Sequence, residues 1–410
     1  MEYDVIIIGG GASGMMAAGR AAAQGRRVLL IEKNAKLGKK LSISGGGRCN
    51  ITNATYDVHE FLKNFGVASQ FLFSPFSQFG VKDTFSFFEK LGLPLVVQAN
   101  NRAFPKTEKA EDVVKVLEEY MKAGGVTVKT NAAVQKIVSS EGKIDGVIVD
   151  GIMHAAKNYI LAAGGVSHPE TGSTGDGFAW LRNLGQTVKD PSPTIVPLKT
   201  SDAWSHTLSG VSVDNIKITF FLDEKKEFSK TGKILFTHFG LSGPLILNSA
   251  GKVGDLLNIG NVTAKIDLYP KLNLGELDQK ILATFDANRN KLLKNLIKEL
   301  VPAGMVSGIS LLLSADDLNL KVPDITKEQR KKIVALLKNL PIKITNLMGF
   351  DRAVVADGGV TLEEVDTKTM RSHLYSNLLI TGDLLHINRP SGGYSLQLCW
   401  TTGWVAGSNV

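Results

Sequence analysis

A chain of 410 residues is too long for one ordinary hydrophobic core and implies two or three domains. Its 43% apolar and 21% charged residues exclude general disorder, and no apolar run nears the roughly 18 residues of a membrane helix, so no membrane partner is expected. The net charge is +8, of which +5 lies between Lys271 and Lys343; Phe285 is the only aromatic there, so a solvated helical surface is expected rather than a nucleic-acid patch.

The opening Glu2-Tyr3-Asp4 before a short apolar run does not read as a secretory signal. Cys49 and Cys399 stand far apart without a C-x-x-C pair, which excludes a disulfide scaffold, a cysteine zinc site and a paired redox disulfide. A reducing cytoplasm is the expected location. The seven histidines lack H-x-x-x-H spacing, and no metal site is expected.

Val5–Ile8 is a β-branched run of the kind buried on both faces of a parallel sheet. It leads into Gly9-Gly10-Gly11-Ala12-Ser13-Gly14, a G-x-G-x-x-G. There Gly9 makes the turn, Gly11 admits a phosphate, and Gly14 lets the helix pack on the strand. A helix start at Ser13 and Gly14 offers free N–H groups to a pyrophosphate. Gly25 ends the helix, Val28–Ile31 supplies a second strand, and Glu32 follows it, placed to bind adenosine ribose hydroxyls. An acid there repels a 2′-phosphate, so FAD or NAD is expected rather than NADP.

Further strands are expected at Val126–Lys129, Ala132–Val138, Lys143–Val149 and Tyr159–Ala163. From about 191 to 268 strand-like pieces such as Ile216–Leu222, Lys233–Phe236 and Val262–Leu268 replace the helical pattern. Residues 269–343 turn helical. Leu292, Leu293, Leu296, Ile297 and Leu300 form one stripe; a Thr326/Gln329 capping box precedes another of Ile333, Leu336, Leu337 and Leu340. Strand, glycine turn and helix then return. The expected class is α/β: a Rossmann-like domain of 1–190 with 350–410, a β-rich substrate domain of 191–268 with 344–349, and a helical domain of 269–343.

Two features favour the longer cofactor, FAD. Leu379-Ile380-Thr381-Gly382-Asp383 is a second strand ending in Gly-Asp, where a carboxylate suits flavin ribityl hydroxyls; its alternative role is a simple helix or turn cap. After Gly392-Gly393-Tyr394 a helix is expected to Gly407, its positive end aimed at the flavin ring. The loop Lys39-Lys40-Leu41-Ser42-Ile43-Ser44-Gly45-Gly46-Gly47-Arg48-Cys49-Asn50 lets backbone lie close to a planar ring, with Arg48 as electrostatic partner. Its lysines fit a phosphate-contacting loop without catalytic duty equally well.

These motifs, together with KLSISGGGRCNITN at 40–53, ILFTHFGLSGP at 234–244 and GGYSLQLCWTTGWVAG at 392–407, resemble the three-domain bacterial flavoproteins that include aminoacetone oxidase and a bile-acid enone reductase. The resemblance spans essentially the whole chain. It implies bound FAD, a discontinuous Rossmann-like FAD domain, an inserted β-barrel substrate domain and a small helical domain. It implies FAD contacts at Ser13, Gly14, Glu32, Lys33, Gly38, Lys39, Lys40, Gly45, Gly46, Gly47, Arg48, Asn50, Val134, Ala163, Gly164, Gly165, Gly382, Asp383, Gly393, Tyr394, Ser395 and Leu396. Three departures stand out. The family usually has Glu at 383, an acidic D-V-D-G where this chain has His386-Ile387-Asn388-Arg389, and Asn at 395.

The expected activity is an FAD-dependent oxidoreductase moving hydride between flavin N5 and a small organic substrate, as an oxidase or a reductase visited by NAD(P)H. Gly172–Gly177 places its glycines in a different order from a second dinucleotide motif, so a built-in NAD domain is not evident. Candidate catalytic residues are Arg48, with the 393–396 backbone, for reduced flavin; Tyr394 as donor or packing residue; and His238, for which a core role is the stronger alternative. Cys49 beside Arg48 invites a lowered pKa, yet no partner cysteine makes it a redox thiol. Rivals are a flavoprotein linked to RNA modification and an NAD-dependent dehydrogenase.

Overall fold

The computed structural model describes residues 2–410. The chain forms two compact units, one running to Ser192 and resuming as Val354–Val410, the other spanning Pro193–Ala353.

In the first unit a five-stranded sheet runs in the order Leu378–Ile380, Ala156–Leu161, Tyr3–Ile8, Val28–Ile31, Thr127–Lys129, with every neighbour parallel. The α/β class with a parallel core is therefore as the sequence predicts. Val5, Ile6 and Ile7 are wholly buried, as expected of a central strand covered on both faces. The strand expected at Tyr159–Ala163 begins and ends earlier, because Ala162 and Ala163 already belong to the turn leading to Gly164. Likewise Ala132–Val138 is realised as Val134–Ser140, paired with Lys143–Val149.

Both ends of the unit meet at one pair of helices, Ala12–Ala23 and Tyr394–Ser408. A Cβ on Gly403 would stand 2.4 Å from the Ser13 carbonyl, and one on Gly407 would stand 2.5 Å from that of Ala17. Two glycines one turn apart thus let backbone press on backbone, fixing the C-terminal helix beside the first strand–turn–helix. A three-stranded antiparallel sheet of Thr52–Asn53, Arg102–Pro105 and Leu95–Gln98 carries the chain beyond the 45–50 loop.

The second unit holds a closed six-stranded barrel in the order Leu198–Thr200, Gly240–Ser242, Lys225–Thr237, Ser212–Leu222, Val262–Asp267, Leu340–Leu347. Its helices, from Leu274–Asp286 to Lys327–Lys338, share the barrel's core: Phe285, Leu296 and Leu337 belong to one buried cluster with Ile266 and Ile342. The Thr326/Gln329 capping box forms, each side chain bonded to the other's backbone N–H.

Leu340 corrects the helical stripe. It opens a strand, for Pro341 disfavours helix at the residue before it, and Leu340, Ile342 and Ile344 alternate into the core. Among the described residues no helix is long and apolar enough to cross a membrane.

Candidate cofactor and catalytic site

At the N-terminal turn the backbone is tight on one side and open on the other. A Cβ on Gly14 would lie 1.9 Å from the Gly9 carbonyl oxygen, so helix and strand touch there. A Cβ on Gly11 would meet nothing within 4 Å. Ser13 Oγ is buried in the first turn of the helix and has no hydrogen-bond partner in the protein. An open backbone edge, an orphaned hydroxyl and a helix N-terminus together make a seat for an anion.

Glu32 is fixed by its neighbours. It is 8% exposed; one carboxylate oxygen accepts the Gly10 N–H (2.7 Å), and the other accepts the Asn34 N–H and side-chain amide (both 2.7 Å). Each oxygen can accept more than one bond, so capacity is left for ribose hydroxyls. Val134 opens its strand two residues after Ala132, whose N–H donates to the Glu32 carbonyl (3.0 Å).

The lysines that follow are divided in duty. Gly38 donates to the Gly10 carbonyl (2.8 Å), bringing the segment against the turn. Lys33 is tied to Thr174 (2.5 Å) and Asp176 (2.7 Å), and Lys39 to the Glu170 carbonyl (2.7 Å). Lys40 bonds Ser167 Oγ (2.5 Å) and reaches Asp383 at 3.4 Å. Of the three, Lys40 is the one joined to the distant Gly-Asp.

The Gly-Asp strand end is joined to the N-terminal turn. A Cβ on Gly382 would lie 3.3 Å from Ser13 Cβ, and one on Gly165 would lie 3.4 Å from the Asp383 carbonyl. Ala163, Gly164 and Gly165 thus sit between the first turn and Asp383, following the strand Ala156–Leu161. Burial acts to raise the Asp383 carboxyl, but the Arg389 guanidinium and Lys40 ammonium outweigh it and hold it below the ordinary carboxylate range. Arg389 is 4% exposed and bonds both Asp383 and Ser395.

In the glycine loop Gly45, Gly46 and Gly47 are all left-handed, with φ of 59°, 69° and 82°, and Cβ atoms on the last two would meet nothing within 4 Å. Arg48 stacks over Phe104 at 4.3 Å and bonds Gln98 (2.6 Å) and Glu108 (2.5 Å), while its buried Nε has no partner. Asn50, with its amide oriented to satisfy both ends, donates to the Thr52 (3.1 Å) and Ala103 (3.2 Å) carbonyls and accepts the Gly393 N–H (3.0 Å). Asn53 donates to the carbonyls of Asn100 (3.1 Å) and Gly392 (3.3 Å). The loop is therefore stitched to the start of the C-terminal helix.

Gly393, at φ 101°, caps that helix, and a Cβ there would be 2.3 Å from the Thr52 carbonyl carbon. Tyr394 packs its ring 4.8 Å from Phe61 and 6.0 Å from Phe65, and burial raises its pKa. Ser395 accepts Arg389 Nε (3.0 Å), and Leu396 follows in the same turn.

Two expectations are corrected. Cys49 is wholly buried at φ 57°, and desolvation pushes its thiol up to about 12, so Arg48 beside it in sequence does not activate it. His238 is an exposed residue of the Thr237–Gly240 turn in the second unit, edge-on to Phe239 at 4.9 Å, and not a core histidine. Every other candidate lies in the first unit. Arg389, Ser167 and Asn53 escaped the sequence analysis as site residues; the signal available for Arg389 was its place among the three departures.

A parallel sheet, an anion seat at the first turn and a carboxylate at a second strand end define an FAD-dependent oxidoreductase of Rossmann type. The chain belongs to the HI0933-like protein Rossmann domain family, which matches residues 3–409. It is 29% identical over 405 residues to the 3-dehydro-bile acid delta(4,6)-reductase of Clostridium scindens, covering 98% of this chain and 97% of that one. It is 28% identical over 416 residues to the ribosomal RNA dihydrouridine synthase of Escherichia coli, covering 100% and 98%. Among solved structures, the 3-ketosteroid-delta4-(5alpha)-dehydrogenase of Rhodococcus jostii RHA1 shares the fold, with a TM-score of 0.52 at 15% identity over 99% of this chain and 96% of that one.

Proposed function

We propose that this chain is a reductase that saturates a carbon–carbon double bond conjugated to a carbonyl in a small organic molecule. The observation that carries this is what two relatives matched over nearly their full length share: the names of both describe saturation of such a bond, in a bile acid and in a uracil ring. When bound and reduced by NAD(P)H, FAD supplies the hydride for the β-carbon of such a substrate, and a proton completes the α-carbon.

The chain's own residues hold and orient in this reading. Gly9, Gly11, Ser13, Gly14 and Glu32, with Val134, bind the adenosine and pyrophosphate. Lys40, Ala163, Gly164, Gly165, Gly382 and Asp383 hold the ribityl chain. Gly45, Gly46, Gly47, Asn50, Gly393, Ser395 and Leu396 give backbone close approach to the ring. Lys33, Gly38 and Lys39 fix the loop that carries Lys40, through the bonds described above. Arg48 offers its unpartnered Nε–H where charge develops, and its bonds to Gln98 and Glu108 prevent it from swinging away. Tyr394 keeps its proton, since burial raises its pKa. His238 has no part in this assignment.

A small substrate is favoured over RNA because the basic helical segment offers no base-stacking surface: its one aromatic, Phe285, is 4% exposed. The test is to reduce the holoenzyme without oxygen and mix it with a 3-oxo-4-ene steroid, with cyclohexenone and with a uridine-bearing RNA. Return of the flavin colour with an enone, with saturated product formed in equal amount, supports the proposal. Reoxidation by the RNA alone, or by oxygen alone, contradicts it.

A further inference from the structure

Each of the three departures from the resembled pattern, at 383, in 386–389 and at 395, contributes one residue to a single contact set: Asp383, Arg389 and Ser395. Arg389 stands six residues after Asp383 and six before Ser395. Its Nη2 bonds the Asp383 carboxylate, its Nε donates to Ser395 Oγ (3.0 Å), and its Nη1 donates to the Ile387 carbonyl (2.6 Å). The side chain is 1% exposed. Each of the three guanidinium nitrogens thus has a partner in the protein.

The charges do not cancel. A buried Arg–Asp pair alone would be neutral, but Lys40 also faces Asp383, at 3.4 Å, so two cations surround one carboxylate. This +1 cluster includes Ser395 in the first turn of the helix Tyr394–Ser408, whose N-terminus adds its own partial positive charge. Such a cluster favours whichever redox form of a neighbouring group is the more negative. We infer that Arg389 is an electrostatic positioning residue of the flavin site: it fixes Asp383 for the ribityl chain and supplies the net positive charge that raises the flavin's reduction potential.

The inference rests on the cofactor placement proposed above but not on the enone reading. Its test needs no substrate: the midpoint potential of the holoenzyme is measured against a reference dye, and FAD affinity by titrating apoprotein. Arg389→Gln keeps an amide donor but brings the cluster to zero charge. The reduced-to-oxidised ratio at a fixed poise is expected to fall about tenfold, a shift of about 30 mV to more negative potential for a two-electron couple. An unchanged potential in folded Arg389→Gln overturns the inference, because a merely structural anchor would alter stability and leave the potential alone. Should that variant not fold, Arg389→Lys decides. Charge kept without the fork predicts wild-type potential with weaker FAD binding; a potential lowered by this substitution overturns the inference.

Discussion

Gly11→Ala separates a cofactor site from a merely structural turn. In the protein itself the new methyl is free: no atom lies within 4 Å, and the backbone at φ −83°, ψ −171° is open to alanine. The loss of a preferred helix N-cap residue amounts to about 0.5–1.5 kcal/mol, so the apoprotein should melt within ~4 °C of wild type. In the proposed site the same methyl must share its space with the FAD pyrophosphate. Overpacking of one methyl costs about 1–3 kcal/mol, equivalent to a roughly 5- to 150-fold loss of FAD affinity. Titration of apoprotein by flavin fluorescence, with calorimetric melting of the same sample, reads both quantities. Wild-type FAD affinity in Gly11→Ala would refute the reasoning, since no phosphate could then lie across that edge.

Gly393→Ala should fail in the opposite way: at φ 101° with backbone 2.3 Å away it should lose about 3–5 kcal/mol of stability before any cofactor is added, visible as a lower urea midpoint of the apoprotein. Cys49, wholly buried and pushed up to about 12 by desolvation, should resist a thiol reagent at pH 8 until the chain is unfolded; rapid native labelling would contradict its placement. Asp383 has a folded pKa below its unfolded value, so its stabilisation is present above the ordinary carboxylate range and lost as pH falls through that range towards the lowered value. The urea-midpoint advantage of wild type over Asp383→Asn should therefore shrink on acidification, and a constant difference would argue against the Arg389 and Lys40 pairing. Glu32→Gln should weaken FAD and ADP binding alike by about tenfold, as a charge-assisted hydrogen bond contributes ~1.5 kcal/mol, and an effect on FAD alone would misplace the adenosine.

The adenosine end was legible because its signals are local. One strand, one turn, one helix and Glu32 occupy about thirty successive positions, and each glycine has a duty that spacing alone assigns. The other end was only half legible. Gly382-Asp383 and Gly392-Gly393 could be recognised as turn chemistry. Their junction with the 45–53 loop depends on Asn50 and Asn53, whose partners at the helix start, Gly393 and Gly392, lie more than three hundred residues away. Arg48 illustrates the limit: sequence shows a cation after three glycines but not that Glu108, at φ 53°, turns back to hold it. Arg389 was visible as an oddity, and only the fold shows that it answers two other oddities. Leu340 was misassigned because an apolar residue in helical register is ambiguous until the proline behind it is weighed.

The central claim is that the two ends of the first unit grip one FAD, and hydrogen exchange with two ligands tests it most directly. FAD added to apoprotein should slow exchange of backbone amides at 9–14 and also at 45–50 and 392–396, whereas ADP should protect 9–14 alone. Protection by FAD confined to 9–14, with the 392–396 amides exchanging as in apoprotein, would contradict the account.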